Sequence, residues 1–133
     1  MERVLVVRVS SRDAHYAGEL VDGAFVLRLF GDALTFVSCR EDGDEGLLAS
    51  YERVEFKEPV RPGDFLAINY REIGRTRLSR TVDLIATRQG RSAPIPSRAS
   101  AAAAWNDSSQ VIATARARIV VPIAAVKRSR EDQ

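Results

Sequence analysis

The run from Ala24 to Cys39 constrains this chain more than any other. Ala24, Phe25, Val26, Leu27, Leu29, Phe30, Ala33, Leu34, Phe36 and Val37 recur at helical spacing and leave little of the circumference polar. The predicted helix, from Asp22 to about Arg40, must therefore be wrapped by other structure. Its polar exceptions, Arg28, Asp32, Thr35 and Ser38 or Cys39, stand three or four residues apart and form one stripe.

In a chain of 133 residues, one domain over 1–133, strands must do the wrapping. Residues 3–9 are short and rich in β-branched side chains, which favours a strand. Leu47–Lys57 alternates, with Val54 and Phe56 on one side and Arg53 and Glu55 on the other. Phe65–Glu72, Arg75–Arg88 and Val111–Val121 read as three more strands, with Gly74 as the turn between the first two. Ser10–Gly18 reads as a loop, 89–109 as a loose low-complexity loop, with Trp105 anchoring it against a neighbouring subunit as the alternative, and 124–133 as a loose basic tail. The order is an α+β solution: an antiparallel sheet whose concave face holds one long central helix. One sheet cannot cover a helix apolar on nearly every side, so pairing into a homodimer or higher homo-oligomer is expected.

Composition narrows the partners. A net charge of +2, spread along the chain, gives no reason to expect nucleic acid. The single Cys39 excludes an intrachain disulfide and reads as a small core residue. Asp42–Gly46 is an acidic turn with too few oxygen ligands for an EF-hand loop, and no metal is expected. No leader precedes the first strand and no apolar run reaches membrane-spanning length, so the expected location is the cytoplasm, with no membrane partner. Neither G-x-x-x-x-G-K-[ST] nor G-x-G-x-x-G is present.

Chemistry gathers just ahead of the helix, in Asp13-Ala-His-Tyr-Ala-Gly18-Glu-Leu-Val-Asp22-Gly23. Main-chain N–H groups at a helix start have no intrahelical partner and can hold an oxyanion. With Val54-Glu-Phe-Lys-Glu-Pro59-Val-Arg-Pro-Gly63-Asp64, a strand ending at a proline turn, that order points to acyl-thioester chemistry.

These residues resemble the hotdog fold. The Gly18-x4-Gly23 helix start and the Val-Glu-Phe-x-x-Pro-Val-x-x-Gly-Asp strand and turn are similar to those of hotdog acyl-CoA enzymes. Asp13-Ala-His-Tyr-x-Gly18, Leu20-Val-Asp-Gly-Ala24, Leu29-Phe-Gly-Asp32, Asp42-Gly-Asp-Glu-Gly-Leu47 and Tyr51-x-x-Val-Glu-Phe56 resemble one branch, the 3-aminobutyryl-CoA ammonia-lyases of lysine fermentation. The likeness covers about residues 3–88, weakens through the alanine-rich loop and returns faintly at Val120-Val-Pro122. It implies a carbon–nitrogen lyase that reversibly removes ammonia from a β-aminoacyl-CoA to give a 2-enoyl-CoA. No cofactor is implied beyond the coenzyme A thioester, which is substrate.

Such an elimination needs a base for the α-proton, donors for the charge growing on the thioester oxygen, and a group to manage the nitrogen. The N–H groups of Gly23 and Ala24 suit the oxyanion, and the missing side chain at Gly23 would let the thioester approach. His15 is the only histidine, and imidazole titrates near neutrality; it is a proton shuttle or a backbone-bonded loop residue. Asp22, with Asp13 nearby, is an N-cap or a carboxylate facing the substrate. Asp32 is a partner of Arg28 or a buried catalytic carboxylate, Glu55 faces solvent or a partner's site, and Tyr16 binds substrate or anchors the loop. Arg75, Arg77 and Arg80 are the candidates for the coenzyme A phosphates, with a solvated strand face as the alternative. Three rivals remain: an acyl-CoA thioesterase, an enoyl-CoA hydratase and a non-catalytic acyl-CoA-binding module. The thioesterase is disfavoured, because Phe30 stands where many hotdog thioesterases carry their helix carboxylate.

Overall fold

The structure is a computed structural model and describes residues 1–98, 103–106 and 109–121. The basic tail at 124–133, Pro122 and parts of the 89–109 segment lie outside the described residues. In chain order the elements are β1 (Glu2–Arg8), a short 3-10 turn (Ser11–Asp13), β2 (Ala14–Tyr16), β3 (Leu20–Val21), α1 (Gly23–Asp42), β4 (Leu47–Phe56), β5 (Asp64–Arg75), β6 (Ser79–Pro94), β7 (Ala103–Asn106) and β8 (Gln110–Val120). The main sheet has the order β1-β5-β6-β8-β4, all antiparallel, with β7 added to the far end of β6. β2 and β3 form a separate hairpin, tied to the rest by a bridge from Val21 to Val60.

Strand alternation puts Leu66 and Ile68, then Val82, Leu84 and Ala86, then Ala113, Ala115, Ala117 and Ile119 into one core with the helix. Phe30 is fully buried in that cluster, and the alanines of β8 keep the sheet face shallow there. From α1 the buried side chains are Val26, Leu29, Phe30, Ala33, Leu34, Val37 and Ser38, a stripe at helical period. Asp22 caps the start, its Oδ1 accepting from the Phe25 N–H at 3.1 Å. Gly43, in the left-handed region at φ 65°, ends the helix two residues beyond the expected Arg40 and donates to the Cys39 carbonyl.

Five expectations change, the first being that Ser10–Gly18 is not a plain loop but holds the 3-10 turn and β2. Cys39 is exposed and is not a core residue; Ser38, one turn past Leu34, takes the inward position and leaves its buried Oγ without a hydrogen-bond partner. Gly74 is not the turn but a strand residue opposite Thr81. The chain reverses later, where Thr76 Oγ1 accepts from the N–H groups of Leu78 and Ser79. The segment 89–109 is not a plain loop, because β6 runs on to Pro94 and β7 pairs back along it. Trp105 anchors within its own chain: its ring lies over Gly90, where a Cβ would meet ring carbons at 2.1 Å, and contacts the Phe65 ring edge-on at 5.4 Å.

At the C-terminal end of α1, Arg80 is only 2% exposed and reaches both oxygens of Asp42, at 2.8 and 2.9 Å. Its Nε also lies 2.8 Å from Glu72 Oε1, an ion contact without hydrogen-bond alignment. Among the described residues no helix is long and apolar enough to cross a membrane.

Candidate active site at the start of the helix

Two cavities meet at the first turn of α1, and Asp22 lines both. One, about 480 Å³, is bounded by Tyr16, Asp22, Gly23, Val26, Phe56, Glu58, Val60 and Ile112 among others. The other, about 360 Å³, is bounded by Arg12, Asp13, Ala14, His15, Asp22, Ala24, Phe25 and Arg28. The β2–β3 hairpin forms the wall between them and the solvent. Its base is set by a capping box, in which Ser10 and Asp13 exchange hydrogen bonds.

Asp22 divides its carboxylate between two tasks. Oδ1 caps the helix, and Oδ2 lies 3.8 Å from His15 Nδ1. That contact is exposed on the histidine side and adds little to stability. With Phe25 satisfied by the cap, the N–H groups of Gly23 and Ala24 are left without an intrahelical acceptor and point to the cavities with the positive end of the helix dipole. The space beside Gly23 is already used. A Cβ there would lie 2.5 Å from the Phe56 ring, so the glycine makes room for Phe56, and a thioester must share that ground with an exposed phenyl group.

The structure thus brings together Asp13, His15, Tyr16, Asp22, Gly23 and Ala24 from the predicted set. It separates the others. Asp32 is exposed, about 14 Å along the axis from Gly23 at 1.5 Å per residue, and makes no ion pair with Arg28 among the described residues. It lines a different groove with Tyr51, whose hydroxyl donates to the Leu27 carbonyl at 2.9 Å. Burial pushes the Tyr51 phenol above its ordinary range, and the charge of Asp32 pushes the same way. Glu55 faces the outer side of the sheet, paired with Lys57 at 3.0 Å in a groove with Arg71, Asp83 and Arg116.

The structure places the candidate arginines away from the helix start of their own chain. Arg80 is a buried strut on Asp42, and Arg75 is held by Glu72 at 2.8 Å. Asp42 ends a helix of 20 residues, so this cluster lies roughly 30 Å from the helix start. A pantetheine arm reaches about 15 Å, like four or five extended peptide units. The diphosphate of a thioester on Gly23 therefore falls short of Arg75 and Arg80 of the same chain.

Sequence reasoning missed Arg12, Arg28, Phe56 and Glu58. Arg28 was noted only as part of a polar stripe, yet its guanidinium stacks over the Phe25 ring at 5.3 Å beside the second cavity. Phe56 and Glu58 come from the end of β4, which only the fold brings to the helix start. Among the described residues no group of three or more His, Cys, Asp or Glu side chains forms a metal cage.

No family model matches the chain. A curated 3-aminobutyryl-CoA ammonia lyase of Acetoanaerobium sticklandii is 52% identical over 68 residues, 51% of this chain and 54% of the relative. The match thus spans about half the length of that relative. Among solved structures, the β-alanyl-CoA:ammonia lyase of Clostridium propionicum superposes with TM-score 0.81 at 26% identity, over 93% of this chain and 87% of the other. A hexameric hotdog-fold thioesterase of Campylobacter jejuni gives 0.73 at 18% identity over 96% and 95%. The chain has the hotdog fold, and it resembles the ammonia lyases of that fold more closely in sequence than the thioesterase.

Proposed function

We propose that the protein is a carbon–nitrogen lyase, reversibly eliminating ammonia from a β-aminoacyl-CoA of the 3-aminobutyryl type to give the 2-enoyl-CoA. One observation carries the reading. A carboxylate, an imidazole and two unpaired helix-start N–H groups converge where two cavities meet.

In this reading the thioester oxygen lies on the N–H groups of Gly23 and Ala24, which hold the charge that grows when the α-proton leaves. Asp22 Oδ2 attracts the substrate ammonium, and His15 beside it receives or returns a proton on nitrogen. Tyr16 and Asp13 shape the wall around them. Phe30 supports the choice against thioester hydrolysis: it is wholly buried, and Asp32, the carboxylate on that turn, lies about 200° round the helix from it.

The working unit in this proposal is at least a homodimer, in keeping with the hexamers named among its structural neighbours. β4 is an unpaired edge strand with Leu47 65% and Leu48 46% exposed, and Phe36 stands exposed on the outer helix face. A second copy covering that edge would also shelter the Asp32–Tyr51 groove.

Incubating the protein with crotonyl-CoA and ammonia, and following the products by mass spectrometry, tests the proposal. An amine adduct is expected. Free crotonic acid would make the protein a thioesterase, a water adduct a hydratase, and unchanged ligand a binding module.

A further inference from the structure

The reaction requires an α-proton base, and Asp22 is poorly placed to be it. One of its oxygens holds the helix cap and the other faces His15. Taking up a proton there would weaken the cap at the moment the helix start must hold an oxyanion. The larger cavity is lined by a second carboxylate, Glu58, and His15 lines only the smaller one.

Glu58 is built for reaction more than for structure. Its main chain is fixed: the N–H groups of Lys57 and Glu58 both donate to the Ile112 carbonyl, at 2.8 and 3.3 Å. Pro59 restricts its backbone from the other side. Its side chain has no hydrogen bond or ion pair among the described residues, because the adjacent Lys57 is turned to Glu55. The remaining walls near it, Val26, Phe56, Val60 and Ile112, are apolar. Glu58 is exposed at the mouth of that cavity, and a carboxylate with no partner among the described residues, on a fixed stem, beside an oxyanion site has the attributes of a base.

We infer that Glu58 is the catalytic base that removes the α-proton in the elimination proposed above, an assignment that rests on that reading. The Cα–H bond breaks to Glu58, and its electron pair forms the Cα–Cβ double bond. The Cβ–N bond breaks with its pair going to nitrogen, so the ammonium group leaves as ammonia. Glu58 then gives its proton to solvent and is restored, while His15 protonates the ammonia, which departs as ammonium, and takes a proton back from solvent. In the reverse direction the same group delivers the proton to Cα of the enoyl thioester.

The test compares wild type, Glu58→Gln and Glu58→Asp in ammonia addition to crotonyl-CoA, with butyryl-CoA affinity measured in parallel. Wild type should form the amine adduct. Glu58→Gln should lose about 10²-fold or more in rate while butyryl-CoA affinity changes less than about twofold. Glu58→Asp should recover part of the loss. An adduct formed by Glu58→Gln at the wild-type rate would overturn the assignment and leave the lyase reading intact. Loss of butyryl-CoA binding in step with the rate would make Glu58 a binding group and also overturn it. No adduct from wild type would overturn the lyase reading, and the base with it.

Discussion

Asp22 is asked to hold the helix and to serve the substrate, and its two oxygens let those tasks be separated. Asp22→Asn keeps an acceptor at Oδ1, so the bond from the Phe25 N–H, now 3.1 Å, survives. Asparagine and aspartate are near equals as N-caps, so only the charge–dipole attraction is lost, a few tenths to about 1 kcal/mol. The His15 contact at 3.8 Å adds little to that sum, since the histidine is largely exposed. Asp22→Ala loses the cap as well, about 1 kcal/mol more. For a domain of this size each kcal/mol shifts Tm by roughly 3–5 °C.

Activity should follow a different order. Both variants remove the negative charge that faces the substrate ammonium, so both should lose elimination by about 10²-fold, near 2.7 kcal/mol of barrier. The expected pattern is one rate defect with two melting temperatures: Asp22→Asn close to wild type, and Asp22→Ala lower by about 4–8 °C. Thermal unfolding by circular dichroism and ammonia release from 3-aminobutyryl-CoA measure the two quantities. Asp22→Asn with a wild-type rate would refute the argument, leaving Asp22 a cap and nothing else.

Other perturbations read other parts of the molecule. His15→Gln should slow the elimination by about 10²-fold, since it removes the only histidine of the chain; an unchanged rate would place nitrogen-side proton transfer elsewhere. Asp42→Asn strands the guanidinium of Arg80, 2% exposed, with Glu72 alone. It should cost about 3–5 kcal/mol in urea unfolding, and a loss under about 1 kcal/mol would mean that water reaches the pair. Charge reversal at Arg75 or Arg77 should leave KM for the acyl-CoA unchanged, because both lie near the far end of the helix; a several-fold rise would show that they meet coenzyme A in the assembled protein.

The fold was legible where one side-chain period ran uninterrupted. The helix announced itself through Val26, Leu29, Phe30, Ala33, Leu34 and Val37, and the strands through alternation. Errors fell where two residues competed for one role. Cys39 and Ser38 lie side by side in sequence, and only the helix phase, fixed by the cap at Asp22, decides which turns inward. Gly74 and the Thr76–Ser79 segment both carry turn chemistry. The hydroxyl of Thr76 won, because it satisfies two N–H groups that a glycine would leave to water.

The site divides along the same line, between local and tertiary information. Asp13, His15, Tyr16, Asp22, Gly23 and Ala24 could be read together because one hairpin and one helix cap, contiguous in the chain, hold them. Glu58 could not, since it reaches the helix start only through the Val21–Val60 bridge and the hydrogen bonds to Ile112. Arg75, Arg77 and Arg80 stand apart from that group for the opposite reason. Their composition suited phosphate, but the helix length that separates them from Gly23 becomes a distance only once the C-terminal turn is tied to Arg80 by Asp42. The buried ion pair therefore ties down the end of the helix opposite Gly23. In the reading proposed above, the free carboxylate of Glu58 marks the end where the thioester is worked on. A charge already matched inside the fold has little left to offer a ligand, whereas one held in a cleft without a partner can still exchange a proton.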